Sequence, residues 1–397
     1  MSTISSMSVS SGIRRAAFTA APTSVTPQVL SGAVVYIYAF DIAYDMKRLA
    51  VPTLLGCPVT QFEVDASRHS PRQLSFYRPQ MVRLPCLEKL GPGGQLRAER
   101  TVKILPVGAI SITVRVPFDV ANLQQLLPFH DLRFADGKYL YDHVFELAEQ
   151  VRCELQPYAV RPAAQLAGEE AYTAFFLNAP MRNAAGAAIS GEQFFREQRP
   201  QIAALLTEEA DGARLSNQEI EESTGKYLSY YQHDLVVVDW DAALVIDEPR
   251  YFNETLHMME LANMQLTELE AYDRILDGVV DRSYRDLSRS GLRPGGHGRF
   301  ETDLREIRID LARLNDELSN ITKFFGDWHL ARVYHHLSAR FHLNDWRRNV
   351  DEKLRTLDEL YQLLEHGRNS RWLLVLEFTM TLLFVIDLIL LIVLGVK

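Results

Sequence analysis

Ala33-Val-Val-Tyr-Ile-Tyr-Ala-Phe-Asp-Ile42 is the run that sets the architecture. It is β-branched and aromatic, the composition of a strand. Two further runs, Thr101 to Leu105 and Ala109 to Val116, flank Pro106 and read as strands of the same sheet. The long stretch between, punctuated by Pro and Gly and ending at Gly91-Pro-Gly-Gly94, reads as irregular connection. Downstream, helical spacing of apolar residues marks Val120 to Leu127, Tyr139 to Leu155 and Glu192 to Leu206, with a strand at Tyr172 to Leu177. Leu235 to Val238 and Ala242 to Ile246 bracket Asp239-Trp240-Asp241 as a hairpin that closes the sheet. Residues 31–248 are thus expected to form an α+β domain, with helices on a mostly antiparallel sheet. A Ser-, Thr-, Ala- and Pro-rich leader, 1–30, precedes it and has no acid before Asp41.

After Pro249, suited to a first helical turn, the pattern switches to long helices over 249–371, a helical hairpin or stalk. One runs from about Tyr251 to Ser288 and stops at Gly291-Leu-Arg-Pro-Gly-Gly-His-Gly298. The next carries Phe300, Leu304, Ile307, Leu311, Leu314, Leu318, Ile321 and Phe325 in steps of four and three, a coiled-coil-like seam for a hairpin or an oligomer. A shorter helix from about Asp327 holds His329, His335, His336 and His342, and the last begins near Asp345.

Residues 372–396 are apolar on every face and long enough for one C-terminal transmembrane helix. An acid costs at most about 2.5 to 3.5 kcal/mol at a span's centre, while each Leu, Ile, Val or Phe contributes about 0.3 to 0.6, so insertion outweighs Glu377 and Asp387. Those acids, with Thr381, mark a side turned from lipid and suited to homo-oligomer contacts. Arg368 and Arg371 precede the span and only Lys397 follows, which sets the remainder of the chain on the cytoplasmic side of a bacterial inner membrane, or in the mitochondrial matrix.

The 397 residues are 47% hydrophobic and 23% charged, enough for a real core, and the net charge of -9 argues against nucleic acid as a partner. Three cysteines, Cys57, Cys86 and Cys153, have neither paired nor zinc-like spacing and read as packing residues. Neither Gly91-Pro-Gly-Gly94 nor Gly295-Gly-His-Gly298 has a phosphate-loop ending, and no Gly-x-Ser-x-Gly or His-Glu-x-x-His motif is present. Glu254-Thr-Leu-His257 has one copy of a di-iron spacing that needs two. Asn263, Gln265 and Asp273, set among apolar positions, suit a buried polar network that fixes helix register. No catalytic residue, cofactor or metal site is expected.

The Val34-Val-Tyr-Ile-Tyr-Ala-Phe-Asp41 strand, the Asp234-Leu-Val-Val-Val-Asp-Trp240 hairpin, the long helices, and Leu376-Glu377 with Ile386-Asp387 together resemble the meiotic nuclear division family. The resemblance implies a membrane-anchored protein, uncharacterised in bacteria and mitochondrial in eukaryotes, where it supports translation; it carries over no catalytic residue. The order of parts is also similar to CorA-type magnesium channels, which need a second span and a Gly-Met-Asn loop. The expectation is therefore a non-enzymatic, self-associating scaffold on membrane lipid with a protein partner still to be identified. The alternatives are an ion-conducting or transport oligomer using the span's acids, and an enzyme with a site in the α+β domain.

Overall fold

The computed structural model describes residues 29–47, 50–62, 79–91, 94–106, 108–166, 169–183, 185–288 and 328–395. The strands are β1 Leu30–Asp41, β2 Ala43–Met46, β3 Thr53–Leu54, β4 Cys57–Pro58, β5 Thr60–Gln61, β6 Gln80–Gly91 and β7 Gly94–Ile104. They continue with β8 Ala109–Val120, β9 Ala159–Pro162, β10 Glu169–Asn178, β11 Tyr227–Leu228, β12 Leu235–Val238 and β13 Ala242–Asp247. The helices are α1 Leu140–Leu155, α2 Gly191–Leu206, α3 Asn217–Thr224, α4 Phe252–Ser288, α5 Trp328–Arg340 and α6 Leu343–Gly395.

Strand β1 lies at the middle of a nine-stranded sheet of order β11-β12-β13-β10-β1-β8-β7-β6-β5. Its apolar run is unbroken because both faces are covered. Val34, Tyr36, Tyr38 and Phe40 enter one core with residues of α1 and α2, while Val35 and Ile37 enter another with residues of α4, α5 and α6. β1 and β10 approach so closely that a Cβ on Gly32 would stand 1.8 Å from the Phe176 carbonyl oxygen.

The sheet is mostly antiparallel, as expected, and is made mixed by one parallel pair. β10 runs parallel to β13, pairing Phe175 with Leu244, whereas β1 is antiparallel to both β8 and β10. A parallel pair needs a long crossover. Here α2 and α3 lie in it, each opened by a serine whose hydroxyl caps the first turn, Ser190 and Ser216. The stretch expected as irregular connection contains the long β6–β7 hairpin, closed where Gly91 faces Gly94. Its pattern is obscured by a bulge between Leu84 and Leu87.

α4 crosses the sheet over β1, β8 and β10 and packs along α5 and α6. The sequence predicts a membrane-spanning helix over 372–396; among the described residues, no helix is long and apolar enough to cross a membrane. α6 is continuous from Leu343 to Gly395 and carries Glu377 and Asp387 within its distal part. The fold class is accordingly α+β with a large mixed sheet and several helices, without the predicted transmembrane helix among the described residues. The seam positions Phe300, Leu304, Ile307, Leu311, Leu314, Leu318, Ile321 and Phe325 lie outside the described residues, as does the leader up to residue 28.

Candidate functional site

Two places concentrate chemistry that packing alone does not require. The first is the distal part of α6. From 376 to 389 every residue is exposed, and Phe378 and Phe384 reach 71% and 69%. Leu376, Met380, Leu383 and Ile389 are exposed as well, so the apolar surface continues round the helix. Glu377, Thr381 and Asp387 line one open groove with Met380, Leu383, Phe384 and Ile386. Thr381 Oγ1 donates to the Glu377 carbonyl one turn back, so its hydroxyl is already engaged within the helix. Arg368 and Arg371 belong to the same helix, before this stretch.

The second is a polar compartment between α4 and the β7–β8 pair. Lys103 and Ser111 face each other across the two strands, as do Thr101 and Thr113, and Glu99 and Arg115. Directly opposed residues share a face, and here that face meets α4. Lys103 Nζ pairs with Glu260 Oε2, and both side chains are almost fully buried. His257, one turn earlier on α4, holds Nδ1 3.6 Å from the same oxygen, beyond hydrogen-bond distance. The Phe62 ring covers the group, 3.9 Å from Lys103 Nζ and 5.1 Å from the His257 ring centre. Arg115 Nη2 donates to Asn253 Oδ1 at 2.8 Å at one end. Leu105, Ala109 and Met264 cluster at the other.

Burial acts on both titratable groups of α4 here, with opposite outcomes. It pushes the Glu260 carboxyl up, but the Lys103 ammonium and the His257 ring outweigh it and leave its pKa below the usual carboxylate value. For His257 burial is the largest effect and holds the pKa below the ordinary imidazole value against the pull of Glu260. The compartment at neutral pH is therefore an ammonium–carboxylate pair beside a neutral imidazole. Ser111 Oγ, His257 Nδ1 and Glu260 Oε1 are buried without a hydrogen-bond partner among the described residues. A small polar molecule such as water, with both donor and acceptor capacity, fits that set better than an ion, since cation and anion alike would meet a like charge.

Further along α4, Asn263, Gln265 and Asp273 each reach a different element. Asn263 Nδ2 donates to the Glu170 carbonyl on β10 at 3.0 Å. Gln265 Oε1 accepts from Tyr334 on α5. Asp273 receives Lys353 Nζ at 2.7 Å and Asn349 Nδ2 at 3.0 Å from α6. Beside them, burial and the neighbouring Glu270 push the Glu170 carboxyl up to about 8. Burial likewise raises Asp41, at the end of β1, to about 6, with Arg274 opposing. The four histidines of the α5 region do not converge: His329 meets Tyr230, and His342 meets Trp240. Among the described residues no group of three or more His, Cys, Asp or Glu side chains could hold a metal ion.

Sequence reading singled out the α6 acids but missed the compartment. Lys103 sits inside the predicted strand Thr101 to Leu105, where a lone lysine in an apolar run was the one available signal. Its partner Glu260 is 157 positions away.

A nine-stranded mixed sheet with α4 laid across it and α6 extending beyond defines an α+β protein with a helical appendage. Residues 31–252 match the family described as "Uncharacterized protein MJ0711, N-terminal domain", and the chain belongs to that family. The match covers β1 through β13 and stops where α4 begins. The chain is 24% identical over 199 residues to the uncharacterized protein MJ0711 of Methanocaldococcus jannaschii, covering 50% of this chain and 61% of that protein. No solved structure matches. These findings replace the resemblance to the meiotic nuclear division family. The β1 and β12 runs that suggested it are generic buried strands, and Leu376-Glu377 and Ile386-Asp387 lie outside the matched residues.

Proposed function

We propose that this chain is a self-associating interaction protein whose assembly surface is the distal part of α6, with a second copy of the same chain as its partner. The observation that carries the reading is the exposure of apolar side chains on all sides of residues 376–389. Monomeric proteins in water rarely leave so continuous an apolar surface uncovered. Burying one large apolar side chain is worth about 1.5–3 kcal/mol, so half of these residues would offset the roughly 4–15 kcal/mol that association costs.

The groove containing Glu377, Thr381 and Asp387 favours a copy of the same helix over an unrelated apolar partner. A two-fold contact lets the same apolar residues of both helices meet while the carboxyl groups, which as carboxylates only accept hydrogen bonds and repel one another, stay at its hydrated edge. The scaffold reading also uses the sheet domain as the part left free to meet other proteins.

Light scattering on the full chain at micromolar concentration tests the proposal. The expected result is a dimer or larger closed oligomer that Phe384→Glu together with Leu383→Glu returns to monomer, with unchanged circular dichroism. A monodisperse monomer overturns it, as does a chain that stays monomeric while binding neutral phosphatidylcholine vesicles.

A further inference from the structure

α2 ends in a two-bond cap. The Glu209 amide donates to the Ala204 carbonyl at 2.9 Å and the Glu208 amide to the Leu205 carbonyl at 3.4 Å, the pattern of a Schellman motif. The residue that such a cap puts in the left-handed region is usually glycine, because a Cβ is strained there. Here it is Glu208, with φ at 57°. A strained residue persists where its surroundings hold it in place, and the Glu208 side chain has such a contact.

Glu208 Oε1 lies 2.8 Å from His130 Nδ1, and His130 Nε2 lies 2.7 Å from the Leu205 carbonyl oxygen. The His130 side chain is only 4% exposed; it follows the 3-10 helix Leu123–Phe129 and meets the Phe175 ring edge-on at 4.9 Å. A carbonyl only accepts, so Nε2 carries a hydrogen. Nδ1 then faces a carboxyl oxygen, and a hydrogen bond between those two atoms requires one further proton. Without it a nitrogen lone pair opposes a carboxylate at 2.8 Å, and the contact is repulsive. The surroundings favour that proton on the ring. Leu205 lies at the negative end of α2, Asp131 is next in the chain, and Asp241 at the start of β13 is within electrostatic reach. From β1 comes the Tyr36 phenol, which burial keeps neutral and which donates to the Phe129 carbonyl.

We propose that His130 and Glu208 form a proton-operated latch on the connection from α2 to α3, closed while the pair holds its proton and opened as pH rises. An imidazole is the side chain suited to this between about pH 5 and 8. The closed chain binds a proton that the open chain releases, so the latch contributes stability in acid and loses it as pH rises. Once open, Glu208 keeps its strained backbone without the contact that held it. The two cap bonds then loosen, which frees 207–215, the run that leads to the Ser216 cap of α3.

The test is amide hydrogen exchange of the full chain at pH 6 and pH 8.5, each rate compared with the intrinsic rate at the same pH. Protection over 207–211 is expected to fall about tenfold between the two, while the interior of α2 keeps its own. Glu208→Gln, whose amide donates to a neutral Nδ1, keeps the protection at both pH values. Glu208→Gly, free of the backbone strain, melts below the parent at pH 6 and above it at pH 8.5. Nitrogen NMR of the histidine-labelled chain, with His130→Gln identifying the ring, shows both ring nitrogens protonated at pH 6. Protection in the parent that does not change with pH, a loss shared by Glu208→Gln, or a Glu208→Gly shift of the same sign at both pH values overturns the proposal. So does a His130 ring with one bare nitrogen at pH 6.

Discussion

Lys103→Met isolates the energetics of the α4–sheet contact. Lys103 and Glu260 are 7% and 4% exposed, so removing the ammonium leaves a carboxylate in the interior with Oε1 already unpartnered. Breaking a buried ion pair by deleting one member costs about 3–5 kcal/mol, because the surviving charge keeps its desolvation penalty. Methionine preserves the stem and its packing under Phe62, so the loss is electrostatic rather than a cavity. Lys103→Met with Glu260→Leu removes both charges, and the double variant is expected within about 1–2 kcal/mol of the parent. A double-mutant cycle by urea unfolding of the full chain, followed by circular dichroism, reads the coupling. The pH dependence adds a second check. In the parent, the folded pKa of Glu260 is depressed, so its contribution is present above the unfolded pKa and lost as pH falls through the folded one. In Lys103→Met only His257 still opposes burial, so the folded pKa is expected to rise above the unfolded value and stability to be lost as pH rises instead. A single variant within about 1 kcal/mol of the parent, or additive single and double effects, would refute the assignment of this pair as a buried, mutually dependent one.

The raised carboxyls at the other end of α4 give a second pH signature. Asp41 at about 6 and Glu170 at about 8 bind protons in the folded chain that the unfolded chain has released, so their stability contribution is complete below about pH 4 and is lost as pH climbs to 8. Glu170→Gln should flatten the upper part of that slope in thermal melts taken between pH 5 and 8.5; an unchanged slope would show that Glu170 titrates normally. Arg340 joins α5 to the β12–β13 turn through Asp239 and to α3 through Glu222 Oε1 at 3.0 Å. Arg340→Met strands the buried Asp239 and is expected to destabilise the chain by about 2 kcal/mol in urea titrations, less than Lys103→Met because this arginine is partly exposed.

The parts of the fold legible in the sequence are those whose signal is local. β1 and the β12–β13 hairpin announce themselves because both faces of each strand are buried, which forces consecutive apolar residues. β6 and β7 show no such run. Only one face of them meets the core, through Val82, Leu84, Ala98 and Val102, and the Pro85-Cys86 bulge breaks the alternation that would betray a half-buried strand. The parallel β10–β13 pair was illegible for a different reason: strand direction is decided by the crossover through α2, not by either strand's composition. Lys103 and Glu260 look like ordinary solvated charges until the fold brings positions 157 apart into contact. The polar residues Asn263, Gln265 and Asp273 could be picked out as unusual for a buried helix, whereas their three separate partners could not.

In the proposed assembly, α4 is the element that ties α6 to the sheet. Its first turns are fixed on β7 and β8 by Arg115–Asn253 and Lys103–Glu260, and its later turns meet α6 where Lys353 bridges Asp273 at 2.7 Å and Asp277 at 2.5 Å. The contacts differ in kind. The Lys103 pair is desolvated and costly to break, while Lys353 reaches toward solvent and its bridges are individually worth about 0–1 kcal/mol. α4 and α6 also share an apolar core, Leu276 and Val279 with Leu354 and Leu357, so loss of the Lys353 bridges leaves that packing in place. Variants of Lys353 are thus expected to alter the spacing between assembled copies more than the stability of the sheet domain, and variants of Lys103 the reverse. That separation follows from where each charge sits relative to water, not from the number of contacts either makes.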